Sequence, residues 1–398
     1  MKITKRKTMV CLKNILAILL MGIICGIIGA VFCRCISFVT DLRNANPLIF
    51  FLLPLAGFLI VFIYKKLRVI GVGTTTVIKS VNEDTPLPSR VALAIFGTTL
   101  ISHLFGASCG KEGAALQLGG STAVLISRIF KLDDRDKKML TSCGMSALFS
   151  AVFGTPFGAA IFGVEITEFK KNNLKERIPR LIPSLISSLV SWGVSYKLGT
   201  HAEHFTIREI PALNISSALK CLVLALASAI VAYVFYKSLH LSEHIASKLF
   251  KSPYLRIFIG GLIIVLLTIV SGTFSFNGGG IEVIDSIFEG NDAPFMGFIY
   301  KMIFTVVSVA AGFKGGEIVP TLYVGASLGS VLSKAVALDS TFSAGVCLIG
   351  LFAGMTKCPI ASFVIALEMF GVKGAVFFLI AVLVTNFLSG KGSLYKAK

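Results

Sequence analysis

Four stretches of this chain stay apolar for long enough to cross a bilayer, about 17–25 residues each: Ile15 to Val39, Leu48 to Tyr64, Ala218 to Tyr236 and Ile257 to Phe276. Others, such as Val91 to Phe105, are too short or too glycine-broken to span alone. Of 398 residues, 55% are hydrophobic and only 15% charged, and the mean hydropathy is +0.85. That places the chain outside the range of soluble globular domains and among membrane proteins. The expected fold class is an all-α polytopic membrane protein.

The first segment has a basic start (Lys2, Lys5, Arg6, Lys7, Lys13), but its apolar core is too long for a signal peptide and no small-residue cleavage site follows, so it reads as a retained helix. Nine cysteines are scattered singly without a CxxC pair, a pattern of core packing rather than of zinc or a disulfide framework. The net charge of +18 raises the question of nucleic acid, yet the basic residues gather in loops between apolar runs, as the positive-inside bias requires of cytoplasmic loops. Such clusters stand at the N-terminus, at Arg128 to Lys138, at Lys170 to Arg180, at Lys237 to Arg256 and in the tail KGSLYKAK. Ile257 to Tyr300 lacks Lys and Arg but carries Glu282, Asp285, Glu289 and Asp292, and with the loop HAEHFTIREIPALN it reads as external. Both termini are then cytoplasmic, at a cell membrane crossed many times.

The two halves of the chain repeat. SALFSAVFGTPFGAAIFGVEITEF matches IGLFAGMTKCPIASFVIALEMFG, with Pro156 on Pro359 and Glu165 on Glu368, an offset of 203 residues each time. GKEGAALQLGGS pairs with GGEIVPTLYVGAS, setting Glu112 on Glu317 at an offset of 205. The first copy ends at Phe169 and runs into a basic loop, whereas the second ends near Gly371, one apolar span before the basic tail. The copies therefore point opposite ways, one domain of two inverted halves, about residues 14–197 and 216–398. Inverted repeats with Gly- and Pro-interrupted segments at matching positions are the architecture of secondary transporters, whose half-helices meet near the bilayer midplane.

GASCGKEGAALQLGGS, which begins at Gly106, places Lys111 and Glu112 between glycines in an apolar setting. A charge at that depth costs roughly 2.5–3.5 kcal/mol on insertion scales and needs a function or a partner. Glycine-rich backbone there survives only where protein buries it or a watery cavity meets it. A helix that starts just after it turns free N–H groups and a partial positive charge toward that cavity, which attracts anions. The Glu112 carboxylate can occupy that anion position and leave it on protonation, as a gate coupling proton to anion. The plainer reading is a helix-start glutamate favoured by the dipole, worth about 0.3–1 kcal/mol.

At these residues the chain resembles the CLC family of chloride channels and anion/proton exchangers, over nearly its whole length. GASCGKEGA is similar to the family's gating-glutamate motif, with Glu112 at the gate beside Gly110, Lys111 and Gly113, and Ala114 replacing the usual proline. GFKGGEIVP resembles the filter motif of the second half: Gly315, Gly316 and Pro320 match, and the resemblance implies that the amides of Ile318 and Val319 face anion. SGKGSLY puts Tyr395 where the family has a tyrosine hydroxyl on the inner anion path; composition alone would make it an interfacial anchor. GVGTTTVIKS occupies the place of GSGIP, with Val72 where chloride members have serine, followed by Gly73. AGFKGGE, CGMSA and VFGTPF look most like the fluoride/proton exchanger branch, which often has methionine where Val72 stands. Chloride exchangers carry an inward-facing glutamate where this chain has Ile166; Glu317 is the candidate substitute, unless its neighbour Lys314 neutralises it. Glu165 and Glu368, equivalent in the repeat, suit a shared scaffolding task.

The resemblance implies a homodimer with one anion path per subunit, in contact through the Pro156 and Pro359 helices. Their small residues Gly158, Ala159, Ala160, Ala361 and Ser362 permit close approach in lipid. An enzyme reading rests on His240-Leu241-Ser242-Glu243-His244, an HxxEH pattern. It lies in a basic stretch that reads as an amphipathic cytoplasmic connector, without a downstream ligand cluster, so the match reads as accidental. No P-loop or GxGxxG is present. The expectation is a transporter of halide, chloride or fluoride, exchanged for protons through Glu112 and Glu317, with no cofactor and no nucleic-acid partner. A passive chloride channel is the alternative.

Overall fold

The computed structural model describes residues 2–83, 85–167, 174–200 and 205–395. HAEH at residues 201–204, the end of the first repeat copy at Phe169, the start of the 170–180 basic cluster and the last three tail residues lie outside them. The regular elements are helices. In chain order they are α1 (Lys2–Ala45), a 3-10 turn (Pro47–Leu52), α2 (Leu53–Lys66), α3 (Thr74–Asn82), α4 (Val91–Leu104), α5 (Glu112–Ile129), α6 (Asp134–Phe153), α7 (Pro156–Glu165) and α8 (Leu174–Lys197). There follow α9 (Ile215–Leu249), α10 (Pro253–Ser271), α11 (Ile281–Phe288), α12 (Gly297–Ala311), α13 (Ile318–Val336), α14 (Ser340–Thr356), α15 (Pro359–Phe370) and α16 (Ala375–Leu388).

Four spans among the described residues are long and apolar enough to cross a membrane: Leu12–Ala45, Pro47–Lys66, Ile215–Leu249 and Pro253–Ser271. They overlap the four runs read from the sequence but differ in extent: the first is longer, the last stops at Ser271 on left-handed Gly272 rather than at Phe276, and the third runs on well past Tyr236. The stretch KSLHLSEHIASKL is no separate connector but the continuation of α9. The physical reason is local, since no glycine or proline interrupts residues 215–249 and a reciprocal Asn214–Ser217 cap starts the helix. His240 on this extension spends its Nε2 on the Ser393 carbonyl, 2.8 Å away.

The chain divides into two compact units. The first comprises Met1–Cys35, Leu67–Phe96 and Ala114–Glu203. In it α6 packs against α7 and α8, and α1 lies so close to α8 that a Cβ on Gly22 would stand 2.9 Å from the Ser187 carbonyl oxygen. α6 ends on left-handed Gly154, and Pro156 starts α7 at a position where its missing N–H is no loss.

The second unit comprises Ile36–Lys66, Gly97–Gly113 and His204–Lys398. There α13 packs on α14, α14 ends on left-handed Lys357, and Pro359 starts α15. Lys357 stands where the other copy has Gly154. Its ammonium is held by the Asn386 carbonyl at 2.7 Å and the Ser389 hydroxyl at 2.6 Å. The sequence repeat is thus a repeat of local structure: helix, left-handed stop, proline, helix. Glu165 and Glu368 are both half-buried at its equivalent points.

The small residues of α7 and α15 correct one expectation. Ala159, Ala160, Ala361 and Ser362 are each wholly buried within the chain, so they serve packing inside it. The residues these helices turn outward are large, Phe157 and Ile360, at 50% and 56% exposure.

Candidate functional site

Two glycine-bearing segments of the second unit meet in a single reciprocal bridge. The Gly110 N–H donates to the Gly316 carbonyl at 2.6 Å, and the Gly316 N–H to the Gly110 carbonyl at 2.7 Å. Glycine is required on both sides. A Cβ on Gly113 would stand 2.7 Å from the Gly316 Cα, and one on Gly315 would stand 2.9 Å from the Gly110 carbonyl oxygen. Each segment is the approach to a helix: α5 starts at Glu112 and α13 at Ile318. Ile318 and Val319 occupy the first turn, where an α-helix leaves its N–H groups without intrahelical acceptors, and both are buried. Pro320 follows, and with no N–H of its own it leaves none orphaned there. The bridge therefore holds two helix starts together.

The carboxylates bracket this bridge. Glu112 is 1% exposed, and its side chain folds back so that a Cβ on Gly110 would lie 2.9 Å from the Glu112 Oε2 and 3.0 Å from the Val319 Cβ. On the other side, a Cβ on Gly113 would lie 3.7 Å from the Glu317 Oε2. Glu317 and Lys314 are half-buried, as is Lys111. Lys314 turns to a different group from the one its sequence position suggests. Its ammonium sits 4.4 Å from the ring centroid of Tyr64, a cation–π contact, while Glu317 and Glu243 stay within electrostatic reach.

Tyr395 closes the set. It is buried, and its hydroxyl makes no hydrogen bond among the described residues, while Glu317 and Glu112 both lie within electrostatic reach. Its position comes from the segment before it: the Leu394 N–H donates to the Met355 carbonyl at 2.8 Å, and Ser393 is tied to α9 by His240. The hydroxyl therefore keeps hydrogen-bonding capacity that the described residues do not use.

Val72 and Gly73 belong to the first unit, where Gly73 caps the start of α3 and its N–H meets the Thr76 hydroxyl at 3.4 Å. Gln117 of α5 donates to the Thr74 hydroxyl at 3.0 Å, a link the sequence reading did not contain. Ile166 is fully buried. Also missed was a polar stripe on α12. Ser308 accepts from the Ser108 N–H at 2.9 Å, Thr305 meets the Ser108 hydroxyl at 3.0 Å, and Lys301 lies one turn further back. The signal was present, since Lys, Thr and Ser at spacings of four and three share one face of a helix.

With this geometry in view, the comparisons with known proteins are decisive. The sequence profile of a family described as Voltage gated chloride channel matches residues 56–390. The chain belongs to that family. It is therefore a multi-pass membrane protein of the CLC fold. A "Chloride/fluoride channel protein" of Pseudomonas syringae pv. tomato is 30% identical over 389 residues, covering 95% of this chain and 84% of the relative. An uncharacterized protein of Methanocaldococcus jannaschii is 24% identical over 369 residues, covering 90% and 88%. Among solved structures, a CLC-type fluoride/proton antiporter superposes with a TM-score of 0.90 at 28% identity, covering 96% of each chain. A slow cyanobacterial Cl-/H+ antiporter reaches 0.81 at 17% identity, again covering 96% of each, and bears on the fold alone.

Proposed function

We propose that this CLC protein exchanges halide for protons, with fluoride as the favoured anion, and that Glu112 is the gate. The observation that carries the reading is the pair of carboxylates flanking the Gly110–Gly316 bridge, Glu112 on the Gly110 and Val319 side and Glu317 beside Gly113. In this mechanism a halide is held by the helix-start amides of Ile318 and Val319, by the Gly113 region and by the Tyr395 hydroxyl. Lys111 adds positive charge. Ionised Glu112 competes for the anion's place; protonated, it withdraws. Glu317 supplies the second proton-carrying group that the family's exchangers need and that Ile166 cannot be. The likeness to a fluoride/proton antiporter supports fluoride and proton exchange, and that to a chloride/fluoride channel protein supports a halide as the transported ion. The protein acts as a homodimer in the cell membrane, with both termini cytoplasmic.

The test is reconstitution in liposomes, with fluoride and chloride efflux recorded separately alongside an internal pH dye. Wild-type protein is expected to move protons against fluoride and to pass chloride more slowly. Glu112→Gln is expected to abolish the proton movement. Equal efflux of the two halides removes the fluoride assignment, and pH-coupled flux surviving in Glu112→Gln removes the gate.

A further inference from the structure

Lys301 is the most deeply buried cation among the described residues, at 0% exposure in the middle of the apolar helix α12. Its ammonium donates to the Gly278 carbonyl at 2.8 Å and to the Phe276 carbonyl at 3.1 Å, and it lies 5.2 Å from the ring centroid of Tyr323. Three donors thus find two carbonyls and one aromatic face, an environment built for an ammonium. The hydrogen-bond acceptors the ammonium meets are neutral backbone carbonyls. A buried charge in a membrane protein ordinarily has an opposite partner.

The two carbonyls belong to the segment FNGGG, residues 276–280, and that segment is fastened at every step. The Asn277 amide donates to the Gly106 carbonyl at 3.0 Å. Gly278 takes a left-handed turn against Arg43, which itself donates to the His103 carbonyl at 2.9 Å. Gly279 then lies on the site: a Cβ there would stand 3.5 Å from the Val319 Cγ1, 3.8 Å from the Cys109 carbonyl oxygen and 3.9 Å from the Gly110 Cα. Gly280 is left-handed and passes beside Tyr323 and the Lys301 ammonium. The same face of α12 holds Ser108 through Thr305 and Ser308. One helix face therefore positions both the backbone leading to Glu112 and the segment laid over it.

We infer that Lys301 is a positioning and affinity-determining residue for the anion: it fixes the 276–280 segment as a wall over Gly110 and Val319, and its ammonium, held by neutral carbonyls, favours the permeating anion near that wall. This rests on the halide reading above. A fixed positive charge in a weakly screened interior favours an anion nearby whether or not it touches it.

The test compares Lys301→Met, similar in length but without charge or donors, and Lys301→Arg with wild type in proteoliposomes. Fluoride flux is measured against fluoride concentration, and thermal unfolding and oligomer size serve as folding controls. Lys301→Met is expected to raise the half-saturating fluoride concentration about tenfold, equivalent to about 1.4 kcal/mol, with the maximal rate kept within about twofold. Lys301→Arg is expected to stay within about threefold of wild type. Hydrogen exchange at the amides of Asn277 to Gly280 is expected to quicken in the Met variant, a readout independent of transport. Should Lys301→Met not fold, Lys301→Gln replaces it in the same assay. Half-saturation unchanged in a folded neutral variant, or a lower maximal rate alone, overturns the inference. Wild-type protein that passes no halide overturns the functional reading instead, while the exchange measurement still reports on the tether.

Discussion

Tyr395 and Glu317 show how single residues carry this site. The Tyr395 hydroxyl has no partner among the described residues, so removing it leaves no orphaned group behind and costs the fold little. Tyr395→Phe is therefore expected to unfold at the wild-type temperature while needing a few-fold more fluoride for half-maximal flux, read in one set of proteoliposome titrations and melting curves. A loss of thermal stability without any change in half-saturation would make Tyr395 a packing residue. Glu317 was legible in the sequence as a carboxylate at membrane depth, but the orientation of Lys314 was not. Two oppositely charged residues three positions apart near a helix start are obvious partners on paper, and the Tyr64 ring beside the Lys314 ammonium is a further contact that only the fold supplies. Tyr64 closes an apolar run 250 residues earlier in the chain, so nothing local to Lys314 announces it.

At the scale of elements, the helices that start at the site are held from behind by close glycine crossings. A Cβ on Gly325 of α13 would stand 2.6 Å from the Leu348 Cα and 2.7 Å from the Cys347 carbonyl oxygen of α14. These are backbone atoms, which cannot swing aside. Gly325→Ala is expected to separate the two helices and to destabilise the protein by about 1–3 kcal/mol, seen as a lowered unfolding temperature in detergent; an unchanged one would mean that α14 yields at no expense. The helix starts and stops themselves were readable, because proline at Pro156 and Pro359 and glycine at Gly154 act on the backbone within a few residues. The extent of α9 was not, because a basic polar stretch after an apolar run looks like a loop by composition although nothing in its backbone interrupts the helix.

For the whole molecule, the burial of the small residues moves the basis of the proposed dimer. The outward faces of α7 and α15 carry Phe157 and Ile360, so an interface there buries large side chains rather than a small-residue seam. The protein in detergent is expected to have a mass near two copies of 42.5 kDa by light scattering, and Phe157→Arg with Ile360→Arg to reduce it to one copy; a wild-type monomer would remove the dimer. The sequence by itself determined the membrane class, the long spans, the repeat and Glu112 as the charge to explain. These follow from apolar length, glycine, proline and the cost of a charge in lipid, all of which act locally along the chain. Only the tertiary structure decided that Gly110 pairs with Gly316, that Ser108 is held by Ser308 across 200 residues of sequence and that Lys301 reaches the 276–280 segment. Such pairings depend on which distant segments are brought to one place, and no local propensity encodes that.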